Sequence, residues 1–434
     1  MLDFTGSALL EEGVTARVFL DRLIQESQGT DDTDAFFVAD LGDVVKKHLH
    51  FLKALPRVTP FYAVKCNSSP EVVRTLAQLG TGFDCASKTE LELVQGFGVP
   101  PDRIIYANPC KQLSHIQHAA KTGVTMMTFD SESELDKVSS SHPDARMILR
   151  IVADDSRATL ALSPKFGAEL SACRHLLEVA KRLRVEVIGV SFHVGSVSID
   201  PQTFAQSIAD AGMVFSLGKE LGHDMHLLDI GGGFPGSADY YEEFEKISAV
   251  INTALDKHFP EGCGVEVVAE PGRYYVASAF ILAVNIIGKK ELPLEETGLD
   301  GARNSGSKNF EYYLNDGMYG SFFHVSFEKP VLNPSPHKVP SLDQPLYASR
   351  LWGHSSKQMD CIVDGLQLPE LRVGEWLIFE NLGAYTASIA FTFNGLQPPG
   401  THHVMPQWAR KVMQLDPEAL LQLSHSMEKV MLVS

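Results

Sequence analysis

The chain contains the run Pro60-Phe61-Tyr62-Ala63-Val64-Lys65-Cys66-Asn67, in which a single charged side chain follows apolar residues. The apolar part predicts a buried strand over 60–64, and Lys65 comes directly after it. Burying an ammonium group is costly unless it is paired or its pKa falls. A lysine with a depressed pKa is the amine that condenses with aldehydes, whereas a strand-end lysine can also simply reach solvent.

Short β-rich runs alternate with longer segments of helical period between Pro60 and Arg273. This alternation is typical of βα units around a parallel sheet. The eight predicted strands cover 60–64, 82–84, 103–106, 126–129, 146–151, 186–193, 226–230 and 264–270. They favour an α/β fold with a closed, TIM-like (β/α)8 barrel, and an open doubly wound sheet is the alternative.

Chemically distinctive residues follow these strands at their carboxyl ends, where such a barrel has its active site. They are Lys65 and Asp84 after the first two strands, Arg150 in the fifth, and the runs Phe192–Ser196, Asp229–Gly236 and Glu270–Arg273 after the last three. The pattern predicts that these side chains meet at one face of the barrel.

From Ala277 onward, strand-like runs are no longer separated by regular helices. The runs are 279–287, 312–314, 358–363, 374–379 and 384–392, and a strand over 35–40 is predicted to join them, followed by a helix at 41–53. We therefore predict a barrel domain over 41–276. Residues 1–40 and 277–434 would form an all-β domain of Greek-key or β-barrel-like type.

Composition excludes several classes of function. The chain has 434 residues, 44% of them hydrophobic, and a net charge of -17, which argues against nucleic acid or an anionic membrane as a partner. No stretch approaches the ~18 apolar residues of a membrane span, and the start does not resemble a signal peptide, so a cytoplasmic location is expected. The six cysteines lack short paired spacings, so neither a metal site nor a disulfide framework is predicted.

Three features together predict pyridoxal 5′-phosphate as cofactor. Consecutive glycines at 231–233 let backbone N–H groups approach an anion and Arg273 adds positive charge, although a Gly-Gly-Gly turn alone is weak evidence. Glu270 could be half of a structural ion pair, but beside an amine and a phosphate it would hold a pyridine nitrogen protonated. His193 could be an ordinary core histidine, or it could stack on the flat ring of the cofactor.

Six longer runs carry a family resemblance over nearly the whole chain: 60–67, 192–196, 228–236, 270–276, 315–322 and 380–386. They are similar to the motifs of the eukaryotic ornithine decarboxylases, pyridoxal-phosphate enzymes with an alanine-racemase-like barrel. The resemblance implies a barrel plus a β domain. It also implies a head-to-tail homodimer whose active sites borrow residues from the partner subunit.

The resemblance also implies a role for each matching residue. Lys65 would be the Schiff-base lysine, His193 the ring-stacking residue and Glu270 the partner of the pyridinium nitrogen. Phosphate would be held by Ser196, Gly233, Arg273 and Tyr385. The remaining cofactor-binding residues would be Asp84, Arg150, Gly232 and Gly272.

The chain departs from the family in the substrate pocket. The family has a Cys-Asp pair in a loop after a Trp-Gly; because Asp360 stays in register, that pair aligns with Ser356 and Lys357. A second family aspartate aligns with Glu328, which follows Phe327. Lys357 would repel the distal ammonium of ornithine or pair with Glu328. Ser356 is a weaker acid than cysteine for returning a proton to the carbanion.

We therefore expect an L-amino-acid decarboxylase that releases CO2 and a primary amine, with specificity shifted from ornithine to a neutral aliphatic amino acid such as leucine. The alternative is a catalytically silent regulator of polyamine metabolism that resembles the antizyme inhibitors. An amino-acid racemase is a third interpretation, but the β-domain motifs follow the decarboxylases.

One segment bears on that alternative. Residues 111–137 correspond to the family's antizyme-binding surface and retain Lys111 and Lys137, but Gln117 is neutral, so weak antizyme binding is expected. The chain stops at Ser434 without the family's C-terminal degradation tail, so rapid proteasomal turnover is not expected.

Overall fold

The computed structural model describes residues 7–27, 29, 33–154, 156, 158, 162–196, 200–292, 308–341 and 343–425. Contacts divide the chain into two compact units. One unit, Met1–Gly42 with Ala277–Gln407, contains a mixed β-sheet, and the other, Asp43–Val276 with Trp408–Ser434, contains a closed barrel.

Seventeen strands and thirteen α-helices lie in the described part of the chain. The strands are β1 (Ala8–Leu10), β2 (Phe36–Asp40), β3 (Val58–Ala63), β4 (Gly82–Cys85), β5 (Ile104–Tyr106), β6 (Met126–Phe129), β7 (Arg146–Arg150), β8 (Glu186–Ser191), β9 (Leu227–Asp229), β10 (Glu266–Ala269), β11 (Phe280–Leu292), β12 (Asn309–Leu314), β13 (Ser335–Pro336), β14 (Leu346–Trp352), β15 (Cys361–Pro369), β16 (Trp376–Phe379) and β17 (Gly400–Pro406). The helices are α1 (Ala16–Ser27), α2 (Leu41–Ala54), α3 (Pro70–Gln78), α4 (Lys88–Gly96), α5 (Leu113–Lys121), α6 (Glu132–Ser141), α7 (Leu170–Leu183), α8 (Pro201–Glu220), α9 (Tyr241–His258), α10 (Arg273–Val276), α11 (Val325–Glu328), α12 (Gln407–Val412) and α13 (Pro417–His425).

The barrel consists of the parallel strands β3 to β10 and is closed by the pairing of β10 with β3. Each strand is followed by a helix, α3 to α10, as the alternation in the sequence predicts. Buried apolar side chains that alternate along the strands fill the interior: Phe61, Ile105, Ala107, Met126, Ile148, Ile188, Leu227 and Val268. The predicted barrel is confirmed, and the ends of its strands differ from the predicted ones by one or two residues.

The β unit is a mixed sheet of nine strands within the described residues. Its main path is β1-β17-β2-β11-β12-β14-β15, and β16 pairs with β11 and β13. The long strand β11 is central because it pairs with β2, β16 and β12 at once. As predicted, the N-terminal strand β2 belongs to this sheet.

One predicted strand of the β unit is wrong. Residues 384–392 form bends and a short 3-10 turn, Ala387–Ile389, instead of a strand. Tyr385 has a φ of 54°, which an extended chain cannot accommodate, and the Thr386 hydroxyl donates back to the Leu382 carbonyl just before the segment. Strands β1, β13, β14 and β17 were not predicted.

The segment after β17 differs from the predicted domain division. We assigned all of 277–434 to the β domain, whereas Trp408 and the helices that follow cluster with the barrel. The ammonium of Lys46, on α2 of the barrel unit, lies 5.4 Å from the centre of the Trp408 ring. Such a cation–π contact helps to hold this segment on the barrel.

Within the described residues, none of the helices combines the length and the apolarity needed to cross a membrane. The same part of the chain has no group of three His, Cys, Asp or Glu side chains placed to hold a metal ion. Each of the six cysteines is a free thiol.

Candidate functional site

Lys65 and Asp84 form an ion pair at the carboxyl ends of β3 and β4. Strand β3 ends at Ala63, and Lys65 lies in a 3-10 turn, Val64–Cys66, from which its Nζ donates to Asp84 Oδ2. Asp84 is fully buried, but the Lys65 side chain is 39% exposed, so the amine is less buried than the sequence suggested. The other Asp84 oxygen, Oδ1, has no hydrogen-bond partner among the described residues.

Two further carboxyl groups lie at the same end of the barrel. Asp229 ends β9, and its Oδ1 accepts the Gly231 N–H at 2.8 Å. Glu270 follows β10, and its backbone N–H donates to the Gly231 carbonyl at 2.7 Å, which brings the two acidic side chains close enough to interact electrostatically. Burial and mutual repulsion raise the pKa of Glu270 well above its ordinary value, and burial raises the pKa of Asp229 to about 7. The pair therefore calls for a cation or for a shared proton.

His193 is held as a neutral imidazole beside these groups. Desolvation, Arg150 and Lys65 lower its pKa well below the ordinary value. Its Nδ1 accepts the Gly195 N–H at 3.0 Å, so the proton of the neutral ring is on Nε2. The Arg150 guanidinium, at the end of β7, lies 5.4 Å from the centre of the Phe166 ring. A neutral ring suits the predicted stacking role.

The turn after β9 packs too tightly for side chains. A Cβ atom at Gly232 would lie 2.7 Å from the Glu270 carbonyl oxygen, and one at Gly233 would lie 2.6 Å from the Gly195 carbonyl oxygen. Gly233 also has a φ of +104°, which side chains disfavour. The Arg273 guanidinium donates to the Ser196 hydroxyl at 3.5 Å beside this turn. Gly272 packs against Cys66, where a Cβ would come within 2.8 Å of another Cβ.

These residues fit the predicted cofactor. The glycine turn, the Ser196 hydroxyl and the Arg273 cation suit a phosphate group, because backbone N–H donors and a guanidinium both favour an anion. The buried acids of Asp229 and Glu270 suit a protonated ring nitrogen, and Lys65 offers an amine at the rim. All of the barrel residues predicted for the site belong to the ends of β3 to β10 or to the loops that follow them.

The β unit carries the other predicted residues. Glu328 ends the short helix α11, and the Phe327 side chain before it is exposed. Ser356 and Lys357 are exposed in the loop between β14 and β15, where the Lys357 ammonium lies 6.0 Å from the centre of the Phe393 ring. Tyr385 lies in the bend described above. The predicted role of these residues beside the cofactor stays a prediction.

Asp360 fixes the register of the loop that carries Ser356 and Lys357. Its buried carboxylate accepts the N–H groups of Met318 and Ser355 at 2.7 and 2.8 Å. Its backbone carbonyl accepts the Gly353 N–H at 2.8 Å, and its backbone N–H donates to Lys357 at 3.0 Å. Because Asp360 organises the loop at both ends, an alignment that keeps Asp360 in place has a physical basis.

The segment 111–137 contains α5, β6 and the first part of α6, and the two helices lie on the outside of the barrel. Lys111 is buried and makes a 2.8 Å ion pair with Glu134, which also pairs with Lys137 at 2.5 Å. The Lys111 ammonium additionally donates to the backbone carbonyl of Thr128. Lys111 is therefore a structural residue and not a surface contact, whereas Gln117 and Lys121 are exposed.

Sequence reasoning gave no role to Asp229, whose buried carboxyl group interacts electrostatically with that of Glu270. A signal was present, because a carboxylate directly after the apolar residues Leu227 and Leu228 at a barrel strand end is unusual. The acid pair can be recognised only when the strands β9 and β10 are placed side by side.

Comparisons with known proteins all point to one family. Residues 41–277 match the model of the pyridoxal-dependent decarboxylase, pyridoxal binding domain. Antizyme inhibitor 2 of Xenopus laevis is 60% identical over 407 residues, which cover 94% of this chain and 89% of that protein. Ornithine decarboxylase of Mus pahari is 58% identical, covering 92% and 87%.

Solved structures of similar proteins point to the same family. The arginine decarboxylase of Paramecium bursaria Chlorella virus, bound to agmatine, has a TM-score of 0.82 and 36% identity, and the match covers 89% of this chain and all of that one. Pyridoxal phosphate is the cofactor to which both the matched pyridoxal binding domain and the residues of the site point.

The expectation of a decarboxylase for a neutral aliphatic amino acid such as leucine was wrong. It is overturned by the 60% identity with an antizyme inhibitor over nearly the whole chain. The reasoning gave too much weight to Lys65, His193, Glu270 and Arg273. These residues are the ones predicted to hold a cofactor, and cofactor binding is a requirement for turnover but not evidence of it.

Proposed function

The chain belongs to the family of pyridoxal-dependent decarboxylases, and from that premise we propose that it is an antizyme-inhibitor-like regulator of polyamine metabolism. In this role it binds antizyme and releases ornithine decarboxylase from it. The observation that carries the proposal is the loop fixed by Asp360, which presents Ser356 and Lys357 where the decarboxylases of the family have a cysteine and an aspartate.

This loop makes turnover of ornithine unfavourable for two physical reasons. Lys357 replaces a carboxylate that would hold the distal ammonium of the substrate, and reversing a charge at such a position costs on the order of a thousandfold in specificity. Ser356 replaces the thiol that would return a proton to the substrate carbon, and a hydroxyl is a far weaker acid. Neither change disturbs the barrel residues that hold the cofactor.

We propose that the barrel residues keep a cofactor-binding role. Pyridoxal phosphate, when bound, supplies an aldehyde that amines can attack and a ring that withdraws electrons. Lys65 is placed to hold the aldehyde carbon, and Asp84 orients its amine. Ser196, Gly232, Gly233, Gly272 and Arg273 line the phosphate site, with Tyr385 from the β unit as a further ligand. Glu270 and Asp229 hold the ring proton, while His193 stacks and Arg150 supports it.

The partner surface in this proposal is the outer face of α5 and α6. Its exposed side chains include Gln117 and Lys121, while Lys111 supports it from below through Glu134. Lys121 is the exposed lysine on α5, and one such charge gives moderate electrostatic attraction to an acidic partner. We further propose a homodimer and a cytoplasmic location, by analogy with the decarboxylases of the family.

The decisive experiment is a reconstituted mixture of ornithine decarboxylase and antizyme in which the decarboxylase is inhibited. Adding this protein should restore CO2 release from ornithine, and the protein alone should release no amine from ornithine, arginine, lysine, leucine or methionine. If it fails to restore activity at any concentration, the regulator proposal is wrong.

A matched pair of charge reversals tests the partner surface. We expect Lys121→Glu on α5 to weaken antizyme capture about tenfold, because a charge at an interface rim is reversed. Lys219→Glu, on the exposed face of α8, is the control and should leave capture unchanged. Equal effects of the two substitutions would show that antizyme binds elsewhere.

A further inference from the structure

Lys47 on α2 makes an unusual contact with the glycine turn. Its ammonium donates to the Gly236 carbonyl at 2.7 Å and lies 5.1 Å from the centre of the Tyr274 ring. The side chain is half-buried, and desolvation lowers its pKa, so a charge is being kept in an unfavourable environment. The turn that it contacts runs from Gly231 to Gly236 and lines the proposed phosphate site.

The far end of this turn lies directly against Arg273. A Cβ atom at Gly236 would overlap the Arg273 carbonyl oxygen, so the two backbones are in contact without any side chain between them. Arg273 in turn donates to Ser196. A displacement of Gly236 would therefore move the backbone that carries the phosphate-binding guanidinium.

A buried hydrogen-bond network fixes the other side of Lys47. The Tyr274 hydroxyl lies 2.9 Å from His50 Nδ1 and 3.2 Å from the Lys47 carbonyl, and His50 Nε2 lies 2.5 Å from Glu245. Since desolvation lowers the pKa of His50, the neutral ring donates from Nε2 to Glu245 and accepts at Nδ1 from Tyr274. Tyr274 directly follows Arg273, so the network ties α2, which carries Lys47, to the phosphate arginine.

We propose that Lys47 is a positioning residue for the cofactor phosphate: it holds the Gly231–Gly236 turn against Arg273 and adds a positive charge behind the turn. The proposal rests on the assignment of Ser196, Gly233 and Arg273 as the phosphate site. The proposal predicts that Lys47 affects binding of the phosphate group and does not affect binding of the aldehyde or of the ring.

The test compares pyridoxal phosphate with pyridoxal, which lacks the phosphate. Binding to the purified protein is followed by the visible absorbance of the Lys65 adduct and by its reduction with borohydride. Lys47→Met should weaken binding of pyridoxal phosphate about tenfold, equivalent to about 1.4 kcal/mol, and should leave pyridoxal binding within about twofold of the parent. Lys46→Met, one position earlier on α2, is the matched control and should change neither.

Two further variants keep the test decisive. Lys47→Gln retains a donor for the Gly236 carbonyl without the charge, so it should recover part of the lost affinity and can replace Lys47→Met if that variant does not fold. An unchanged affinity for pyridoxal phosphate, or an equal loss for pyridoxal, in the folded variant overturns the proposal. Arg273→Gln tests the phosphate site itself. If this substitution also fails to weaken pyridoxal phosphate binding more than pyridoxal binding, the assigned phosphate site is wrong. If Arg273→Gln weakens only pyridoxal phosphate binding and the Lys47 variants do not, the site stands without Lys47.

Discussion

At the scale of single residues, we attribute the proposed lack of substrate turnover to two side chains. Ser356 and Lys357 stand where the decarboxylases of the family have Cys-Asp, while Lys65 and its barrel partners are all in place. We predict that the double substitution Ser356→Cys/Lys357→Asp produces measurable decarboxylation of ornithine, on the order of a thousandfold above the parent protein. Amine release measured by chromatography checks this.

The matched control for that prediction is Ser355→Cys/Gln358→Asp, which places the same side chains one position away in the same loop. It should not gain activity, because in the register set by Asp360 the Cys-Asp pair of the decarboxylases aligns with positions 356 and 357. If neither double variant releases amine from ornithine, the loop is not the reason for the inactivity.

The Asp229–Glu270 pair makes stability depend on pH. Both carboxyl groups have raised pKa values in the folded protein, with Asp229 at about 7, so the folded state binds more protons than the unfolded state between about pH 4 and 7. Stability is therefore present at low pH and is lost as the pH rises, by up to about 1.4 kcal/mol per pH unit for each proton.

We predict that Asp229→Asn flattens this dependence in the cofactor-free protein, because it removes one titrating acid and its repulsion of Glu270. Urea unfolding at pH 5 and pH 7 measures it, with the exposed Asp224→Asn as control. A pH slope in Asp229→Asn equal to that of the parent would contradict the coupling between the two acids.

At the scale of elements, the loop between β14 and β15 depends on one buried carboxylate. Removing Asp360 leaves the N–H groups of Met318 and Ser355 without their acceptor, so Asp360→Ala should cost about 2–4 kcal/mol of stability. Asp364→Ala is the control: its 2.7 Å ion pair with Arg350 is exposed and should contribute less than about 1 kcal/mol. Chemical denaturation distinguishes the two, and similar losses would argue against this role for Asp360.

Whether a strand or helix could be predicted depends on how local its sequence signal is. The barrel strands could be read from the sequence because each is a short apolar run followed by a helix. Strand β17 could not, because its sequence carries Thr401, His402 and His403, and its extended form depends on pairing with β1 and β2. Residues 384–392 show the converse: their composition suits a strand, but the left-handed Tyr385 interrupts it.

The same distinction applies to the site. Lys65, Asp84, Arg150, His193 and Glu270 follow barrel strands and were recognisable from position alone. Lys47 was not, because it lies on α2, far from the glycine turn in sequence, and meets Gly236 only in the folded barrel. The buried state of Lys111 was likewise invisible, since a lysine in a polar segment looks like a surface residue until Glu134 is placed beside it.

At the scale of the whole molecule, cofactor binding and partner binding should be separable. Lys65 lies at the carboxyl end of the barrel strands, whereas α5 and α6 lie outside the barrel. We predict that Lys65→Ala loses the borohydride-reducible adduct but still releases ornithine decarboxylase from antizyme with unchanged potency. Lys46→Ala serves as the control that keeps both properties. Loss of release in Lys65→Ala would show that the cofactor regulates the partner surface.

The three acids around Lys65 have a consequence for how such chains diverge. Asp84, Asp229 and Glu270 are all buried at the carboxyl ends of the barrel strands, and the Lys65 amine is paired with Asp84. A descendant that lost this amine alone would leave the Asp84 carboxylate buried without its ion-pair partner. A chain of this family can therefore keep Lys65 and its acidic neighbours because the fold needs them, and the presence of these residues is by itself poor evidence that a chain makes a product.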